Sequence, residues 1–289
     1  MQSHAQKQGQ KNQGWLEALK TLFAIPNFEC NLSCGYCELK NRRVQYDEEK
    51  FLETLKEFQG NVVLFGGEPI LFRKRLYKIL ETGKIDSIST NLLLLDRDIA
   101  VKFRDINIAT TWTPGRFNKE ELDIWLEKLE ILSEFNIDTK LLVTLSEDTV
   151  ALEPIKVYDF LKTLEKFSIS SVLFEQLLDN SKGQEYYEKV DLWLCEIHKL
   201  FSNLRFINEI EAEIKQGWDF DCSDTYTLYP DGIIRRYCPQ FSTFQINEMC
   251  YKCERNIECR PCMLQNKCVF PKNLGNLIFK EQIDTKESN

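Results

Sequence analysis

Residues 21–37 read TLFAIPNFECNLSCGYC, a short apolar run that leads into three cysteines at positions 30, 34 and 37. Thr21 to Ile25 reads as a strand, so the cysteines lie on the loop that leaves it. Five further strand-like runs follow: Asn61 to Phe65, Asp86 to Ser89, Ile106 to Thr111, Thr139 to Leu145 and Ser170 to Glu175. An amphipathic helical candidate comes after each one. The helix after the first strand has Asp47 as its cap and Phe51, Leu52, Leu55 and Phe58 on one face. The helix after the fourth opens at Asn118, carries Glu121 where a capping-box acid belongs, and presents Leu122, Trp125, Leu126 and Leu129. Consecutive strand–helix units imply a parallel sheet covered by helices, because parallel neighbours need a crossover of this length. The expected fold class is therefore α/β: a curled, partial (β/α)6 TIM-like barrel, followed by a small C-terminal cysteine-rich domain. In such a barrel the chemistry gathers in loops beyond the C-terminal ends of the strands.

The composition narrows the field. The chain has 289 residues, 43% hydrophobic and 28% charged, enough for one sizeable core and a smaller appendage. Lys and Arg number 37 against 45 Asp and Glu, a net charge of -8, so no global basic field draws the chain to nucleic acid. No apolar run approaches the ~18 residues that span a bilayer, and residues 1–14, with five Gln, are too polar for a secretion signal. The expectation is a cytoplasmic protein with no membrane partner, and residues 1–14 read as a flexible tail. Eleven cysteines against two histidines is the informative excess, and in a cytosolic chain metal ligation is its leading explanation. Domain bounds follow as 15–210 for the barrel, 211–275 for the cysteine-rich unit and 276–289 for a C-terminal tail.

Cys30, Cys34 and Cys37 place three thiols within eight residues. Clustered thiolates without histidine suit an Fe–S cluster, or a zinc completed by a distant cysteine. Three ligands leave one iron of a four-iron cluster free to bind a substrate or cofactor. The C-x3-C-x2-C spacing, with Tyr36 just before the last cysteine, resembles the signature of the radical S-adenosylmethionine (SAM) superfamily. That resemblance implies a 4Fe–4S cluster on Cys30, Cys34 and Cys37, with SAM on the fourth iron. Gly66, Gly67, Glu68 and Pro69, directly after the second strand, look like the family's GGEP motif, which meets the SAM amino group. The glycines permit close backbone approach and the acid complements an ammonium. Thr90 and Asn91 are similar to the family's pair near the SAM ribose and carboxylate. Arg116, on the loop after the fourth strand, is the corresponding candidate for a carboxylate clamp, although its spacing departs from the family's.

Residues 222–268 hold seven cysteines: Cys222, Cys238, Cys250, Cys253, Cys259, Cys262 and Cys268. Thr225 to Tyr229 and Ile233 to Tyr237 flank Pro230-Asp231-Gly232, a hairpin signal that brings Cys222 and Cys238 together. Seven thiols exceed one tetrahedral zinc by three, and two clusters are the natural alternative. The region resembles the SPASM extension of radical SAM enzymes, which binds two auxiliary Fe–S clusters. It departs from the usual pattern, with five residues between Gly232 and Cys238 and two between Cys259 and Cys262. The resemblance implies Cys222, Cys238 and Cys262 on the inner cluster and Cys250, Cys253, Cys259 and Cys268 on the outer. With that pairing, seven cysteines for eight positions imply one inner iron without a thiolate, open to substrate, a small ligand or a carboxylate such as Asp219 or Asp221; a smaller 2Fe–2S cluster there is the alternative.

The implied activity is reductive cleavage of SAM followed by hydrogen abstraction from an unactivated carbon. The first substrate class is a peptide or protein side chain, modified oxidatively by dehydrogenation, thioether formation or a carbon crosslink. A small molecule such as a sugar or aminoglycoside, oxidised or epimerised, is the second. An electron donor of flavodoxin or ferredoxin type is the implied partner. A non-catalytic metal-bound adaptor or electron carrier explains the C-terminal cysteines but gives Gly66 to Pro69 no purpose. Asp219, Asp221, Asp224 and Tyr226 flank Cys222 and are the candidates for a substrate base. Cys195 reads as a small apolar residue on a helix flank, His198 as a surface or boundary residue, and Arg73-Lys74-Arg75 as a solvated first turn.

Overall fold

The computed structural model describes residues 21–37, 39, 43–176, 184–209 and 225–236. The six expected strands form within a residue or two of their expected bounds: β1 Thr21–Ala24, β2 Asn61–Leu64, β3 Ser87–Thr90, β4 Asn107–Trp112, β5 Thr139–Leu145 and β6 Ile169–Gln176. A two-residue strand β7, Ile207–Asn208, and a hairpin of β8 Thr225–Leu228 and β9 Ile234–Arg236 extend the sheet at its two edges. The order is β7-β6-β5-β4-β3-β2-β1-β8-β9, parallel throughout except for the β8–β9 pair.

Parallel strands in sequential order from β1 to β7 call for crossovers of one hand, which put the helices on one face of the sheet. They are α1 Glu48–Glu57, α2 Arg73–Leu80, α3 Arg97–Lys102, α4 Lys119–Glu134, α5 Glu147–Ala151, α6 Pro154–Thr163 and α7 Gln184–Phe201. Asp47 caps α1 through the Lys50 N–H, and Asn118 with Glu121 closes the capping box on α4. Strand residues alternate accordingly. Leu22, Ala24, Val62, Leu64, Ile88, Ile108, Leu141, Val143, Val172 and Phe174 are buried beneath the helices. Phe23, Val63, Ser89, Ala109, Thr111, Lys140, Leu142 and Leu173 alternate with them and stay half-exposed on the other face. The sheet is thus a partial barrel whose inner face lines a hollow. Trp125 of α4 is fully buried and satisfies its indole by donating to Thr110 Oγ1 at 3.0 Å. Burying such a side chain stabilises the fold by about 1.5–3 kcal/mol.

The hairpin forms as the sequence implies, but it continues the barrel sheet: β8 pairs with β1, Thr21 beside Thr225 and Ala24 beside Leu228. Its turn docks on α1, where Asp47 N–H donates to Pro230 O at 2.9 Å and the Thr54 hydroxyl to Gly232 O at 3.0 Å. Gly232 has φ +72, and a Cβ there would lie 2.5 Å from Lys50 Cγ. Both tails, and the rest of the expected cysteine-rich unit, lie outside the described residues. Among the described residues, no helix is long and apolar enough to cross a membrane.

Candidate functional site

A cavity of about 840 Å³ opens at the C-terminal ends of β1 to β4, and Cys30, Cys34 and Cys37 line one wall of it. The cysteine loop is shaped locally by a turn in which Cys37 N–H donates to Cys34 O at 3.2 Å. Ile25, Phe28, Leu39 and Tyr229 form a small separate core, with Cys37 packed against it. The three thiols are free. Burial pushes the Cys30 thiol up, against the Leu32 N–H that donates to its sulfur.

The Gly66–Pro69 loop lies directly against the chain that enters the cysteine loop. Gly67 N–H donates to Asn27 O at 3.0 Å and Glu68 N–H to Glu29 O at 2.7 Å. A Cβ on Gly67 would stand 1.9 Å from Glu29 O, and one on Gly66, at φ +130, 2.7 Å from Asn27 O. These glycines therefore serve first to join the two loops. Glu68 is 1% exposed, and its carboxylate is already occupied by its own chain. Oε1 accepts from Ile70 N–H at 3.0 Å and from the Thr90 hydroxyl at 2.7 Å, while Oε2 accepts from Asn91 N–H at 2.8 Å. Desolvation raises the Glu68 pKa, opposed by these donors. Pro69 opens a short 3-10 turn that Glu68 caps. Thr90 and Asn91 end β3 as expected, and the Asn91 amide donates to Asn31 Oδ1 at 2.8 Å and to Cys30 Sγ at 3.6 Å.

Arg116 reaches the same cavity and donates to the Tyr36 hydroxyl at 3.1 Å, which lies 3.3 Å from the Thr113 hydroxyl. Its Nε is buried without a hydrogen-bond partner, as is the Oδ1 of Asn27. Asn27 is 5% exposed and carries no recognisable signal in the sequence. Arg75 corrects the reading of residues 73–75 as a solvated turn. It donates to Pro26 O at 2.8 Å, its guanidinium lies 3.7 Å from the Tyr46 ring centroid, and it lines the cavity. Arg73 pairs with Asp96, and Lys74 alone of the three is exposed without a described contact.

Tyr226, a candidate base from the sequence, packs on the helix side of the sheet, its ring 6.4 Å from that of Phe58. Asp219, Asp221 and Asp224 lie outside the described residues, as do Cys222, Cys238, Cys250, Cys253, Cys259, Cys262 and Cys268. Cys195 packs against the main core as expected, and burial followed by Asp191 pushes its thiol up to about 11. His198, at 9% exposed, is more buried than its sequence position implies.

Among the described residues, no three Cys, His, Asp or Glu side chains are placed to hold a single metal ion. A tetrahedral zinc with Zn–S bonds of about 2.3 Å needs thiolates about 3.8 Å apart. Three thiols lining one cavity, with no histidine among its lining residues, are a donor set that suits a cluster in which each binds a different iron. The unpartnered Arg116 Nε and Asn27 Oδ1, a donor and an acceptor, suit a co-ligand carrying both a carboxylate and an ammonium.

No protein-family model matches the chain. It is 27% identical over 203 residues to Fe-coproporphyrin III synthase of Methanosarcina barkeri, a match covering 59% of this chain and 50% of that one. The chain thus spans about half the length of the curated relative it matches. Its fold is similar to that of anSMEcpe with bound AdoMet, with TM-score 0.57, 18% identity and coverage of 82% of this chain and 86% of that one. It is also similar to Streptococcus suis SuiB bound to S-adenosylmethionine, with TM-score 0.56, 14% identity and coverage of 79% and 60%. A further structure, native anSMEcpe with bound AdoMet and Kp18Cys peptide, gives TM-score 0.58 at 18% identity, covering 82% of each chain. With its three-cysteine loop at the mouth of a parallel partial barrel, the chain shares the fold of these S-adenosylmethionine-bound structures.

Proposed function

We propose that the chain cleaves SAM reductively and removes hydrogen from an unactivated carbon of a peptide or protein side chain, with net oxidation. The observation that carries this reading is the convergence of Cys30, Cys34, Cys37, the Gly66–Glu68 loop, Asn91 and Arg116 on one cavity. When bound, a 4Fe–4S cluster supplies the electron that splits SAM into methionine and the 5'-deoxyadenosyl radical that attacks substrate. Cys30, Cys34 and Cys37 would hold that cluster, and Asn91, donating to Cys30 Sγ, steadies one thiolate. Gly66 and Gly67 bring the loop's backbone to the cysteine loop. Glu68 fixes the ends of β2 and β3 relative to each other, and the one lone-pair site left on Oε2 is available to an ammonium. Arg116, oriented by Tyr36, offers its free Nε–H to a carboxylate. The solved neighbours with bound peptide support the substrate class.

The seven C-terminal cysteines complete the reading with two auxiliary clusters in residues 211–275. The hairpin supports this: β8 begins and β9 ends at the end of the sheet away from the cysteine loop. Cys222 comes three residues before the one and Cys238 two after the other in sequence. A substrate in the hollow would then face the first cluster at one end and an electron acceptor at the other. A second reading, a small organic substrate, is favoured by the curated relative, which is named for a porphyrin.

The test is anaerobic reconstitution, which should yield about 12 iron per chain if three 4Fe–4S clusters assemble. Dithionite-reduced protein with SAM should release 5'-deoxyadenosine, and a Cys34→Ala variant should release none. Stoichiometric zinc with negligible iron, or equal release by both proteins, would overturn the reading. Deuterium transferred from a labelled substrate into 5'-deoxyadenosine would identify the carbon attacked.

A further inference from the structure

The residue that the cofactor reading leaves without a task is Glu175, near the C-terminal end of β6. On this strand Phe174 faces the helices, its ring 5.7 Å from that of Trp193 and 5.9 Å from that of Phe201. Successive strand residues alternate faces, so Glu175 faces the hollow. Its height follows from the register: Glu175 pairs with Thr144 of β5, and Val143 pairs with Trp112 of β4. Thr113, next along the chain, continues that row, and its hydroxyl lies 3.3 Å from that of Tyr36 in the cysteine loop. Glu175 therefore stands at the level of the cysteine loop, with four strands between β6 and β1 in the sheet order.

The residue is exposed on that face, and desolvation pushes its pKa up, against the pull of Arg116. Neighbouring charges on this face have partners among the described residues. Lys140 pairs with Glu209, which also accepts from the Ser171 hydroxyl, and Arg116 donates to Tyr36. Among the described residues the Glu175 carboxyl has no hydrogen bond or ion pair; Arg116 acts on it only through its charge. A carboxylate without a partner on the wall of a hollow attracts a cation that enters it, and more strongly where protein displaces water.

We propose that Glu175 anchors a positively charged group of the substrate, a guanidinium or an ammonium, in the half-barrel facing the cysteine loop. This rests on the proposed function only in taking the hollow as the substrate site. It assigns a charge to that substrate: in the peptide reading an Arg or Lys side chain or a free amine, in the small-molecule reading an amine-bearing compound.

The test uses the reconstituted full-length protein and two probes of nearly equal shape, n-butylguanidinium and the neutral N-butylurea, with binding followed by ligand-observed NMR titration. The wild-type protein should bind the guanidinium at least tenfold more tightly than the urea. Glu175→Gln, which keeps the shape and removes the charge, should lose that preference, and Glu175→Asp, which keeps the charge, should retain it. Equal binding of the two probes by the wild type, or an unchanged preference in Glu175→Gln, overturns the proposal. Release of 5'-deoxyadenosine from SAM by the wild type is measured alongside. Release without a guanidinium preference overturns this inference alone, and a Glu175-dependent preference without release overturns the proposed function alone.

Discussion

The Glu68 carboxylate accepts the Asn91 backbone N–H at 2.8 Å, and the Asn91 side chain in turn donates to Cys30 Sγ at 3.6 Å. One buried acid thus ties the end of β3 to the cysteine loop. In Glu68→Gln, an amide NH2 replaces one of two oxygens that face only donors, which leaves a buried donor unpaired at a cost of about 1–3 kcal/mol. We expect Glu68→Gln to lower the thermal midpoint of the metal-free protein by several degrees and to weaken SAM binding to the reconstituted protein. An unchanged midpoint would show that the carboxylate is not holding the loop.

Gly67 and Gly35 give a paired comparison. A Cβ at Gly67 meets the Glu29 carbonyl at 1.9 Å, whereas at Gly35 nothing lies within 4 Å. Gly67→Ala should destabilise the metal-free fold by about 1–3 kcal/mol, the range of overpacking, because backbone cannot give way as a side chain does. Gly35→Ala should leave it within about 0.5 kcal/mol. Urea denaturation of both variants decides, and equal effects would contradict the close approach of the two loops.

The sequence discloses what is local or periodic. The alternation in β1 to β6 places Leu22, Val62 and Ile108 under helices, and the caps Asp47 and Asn118 act within three residues of themselves. Both signals are short-range, as is the spacing of Cys30, Cys34 and Cys37. The pairing of β8 with β1 joins residues about two hundred positions apart, and no local pattern announces it. The stacking of Arg75 on Tyr46 is hidden for the same reason, since a basic triplet at a helix start ordinarily stays in water. Strand β7 is two residues long, too short to carry a period. Glu175 lay within an expected strand, but its importance depends on register across three strands, which the sequence does not state.

Asp96 sets a pH dependence away from the cofactor site. It caps α3 by accepting the Ile99 N–H at 3.0 Å and pairs with Arg73. Desolvation would raise its pKa, but the Ile99 N–H and Arg73 outweigh it and hold the carboxyl below the usual carboxylate range. A depressed folded-state pKa gives stabilisation that is complete above the unfolded value of about 3.9 and is lost as pH falls through the folded value. Asp96→Asn keeps a capping side chain and removes the charge. The wild type should exceed it by less than about 1 kcal/mol at neutral pH, because the pair is exposed. That margin should shrink below about pH 4 and vanish under the folded pKa. Urea melts of the two proteins across that range test it, and a constant margin would contradict the assignment.

The docking of the hairpin turn on α1 links the barrel to the proposed auxiliary clusters. Gly232 sits at φ +72 with Lys50 where its Cβ would be, at 2.5 Å from Cγ and 2.8 Å from the backbone carbonyl carbon. Gly232→Ala therefore combines backbone strain with a clash against α1, together about 1–3 kcal/mol, concentrated where the turn meets the helix. The cysteine loop meets the hairpin through Tyr229 but is tied separately to the Gly66–Glu68 loop, so the variant should keep the iron of Cys30, Cys34 and Cys37. If the hairpin positions Cys222 and Cys238, iron should fall from about 12 toward about 4 per chain. Asn118→Ala provides the comparison: it removes a helix cap worth about 1 kcal/mol on α4, distant from the hairpin in the sheet order, and should leave the iron content unchanged. Equal iron in the wild type and Gly232→Ala would mean that the auxiliary centres assemble without the hairpin's attachment to α1. A loss of iron in both variants would mean that it reflects overall stability, and the specific role of Gly232 would fall.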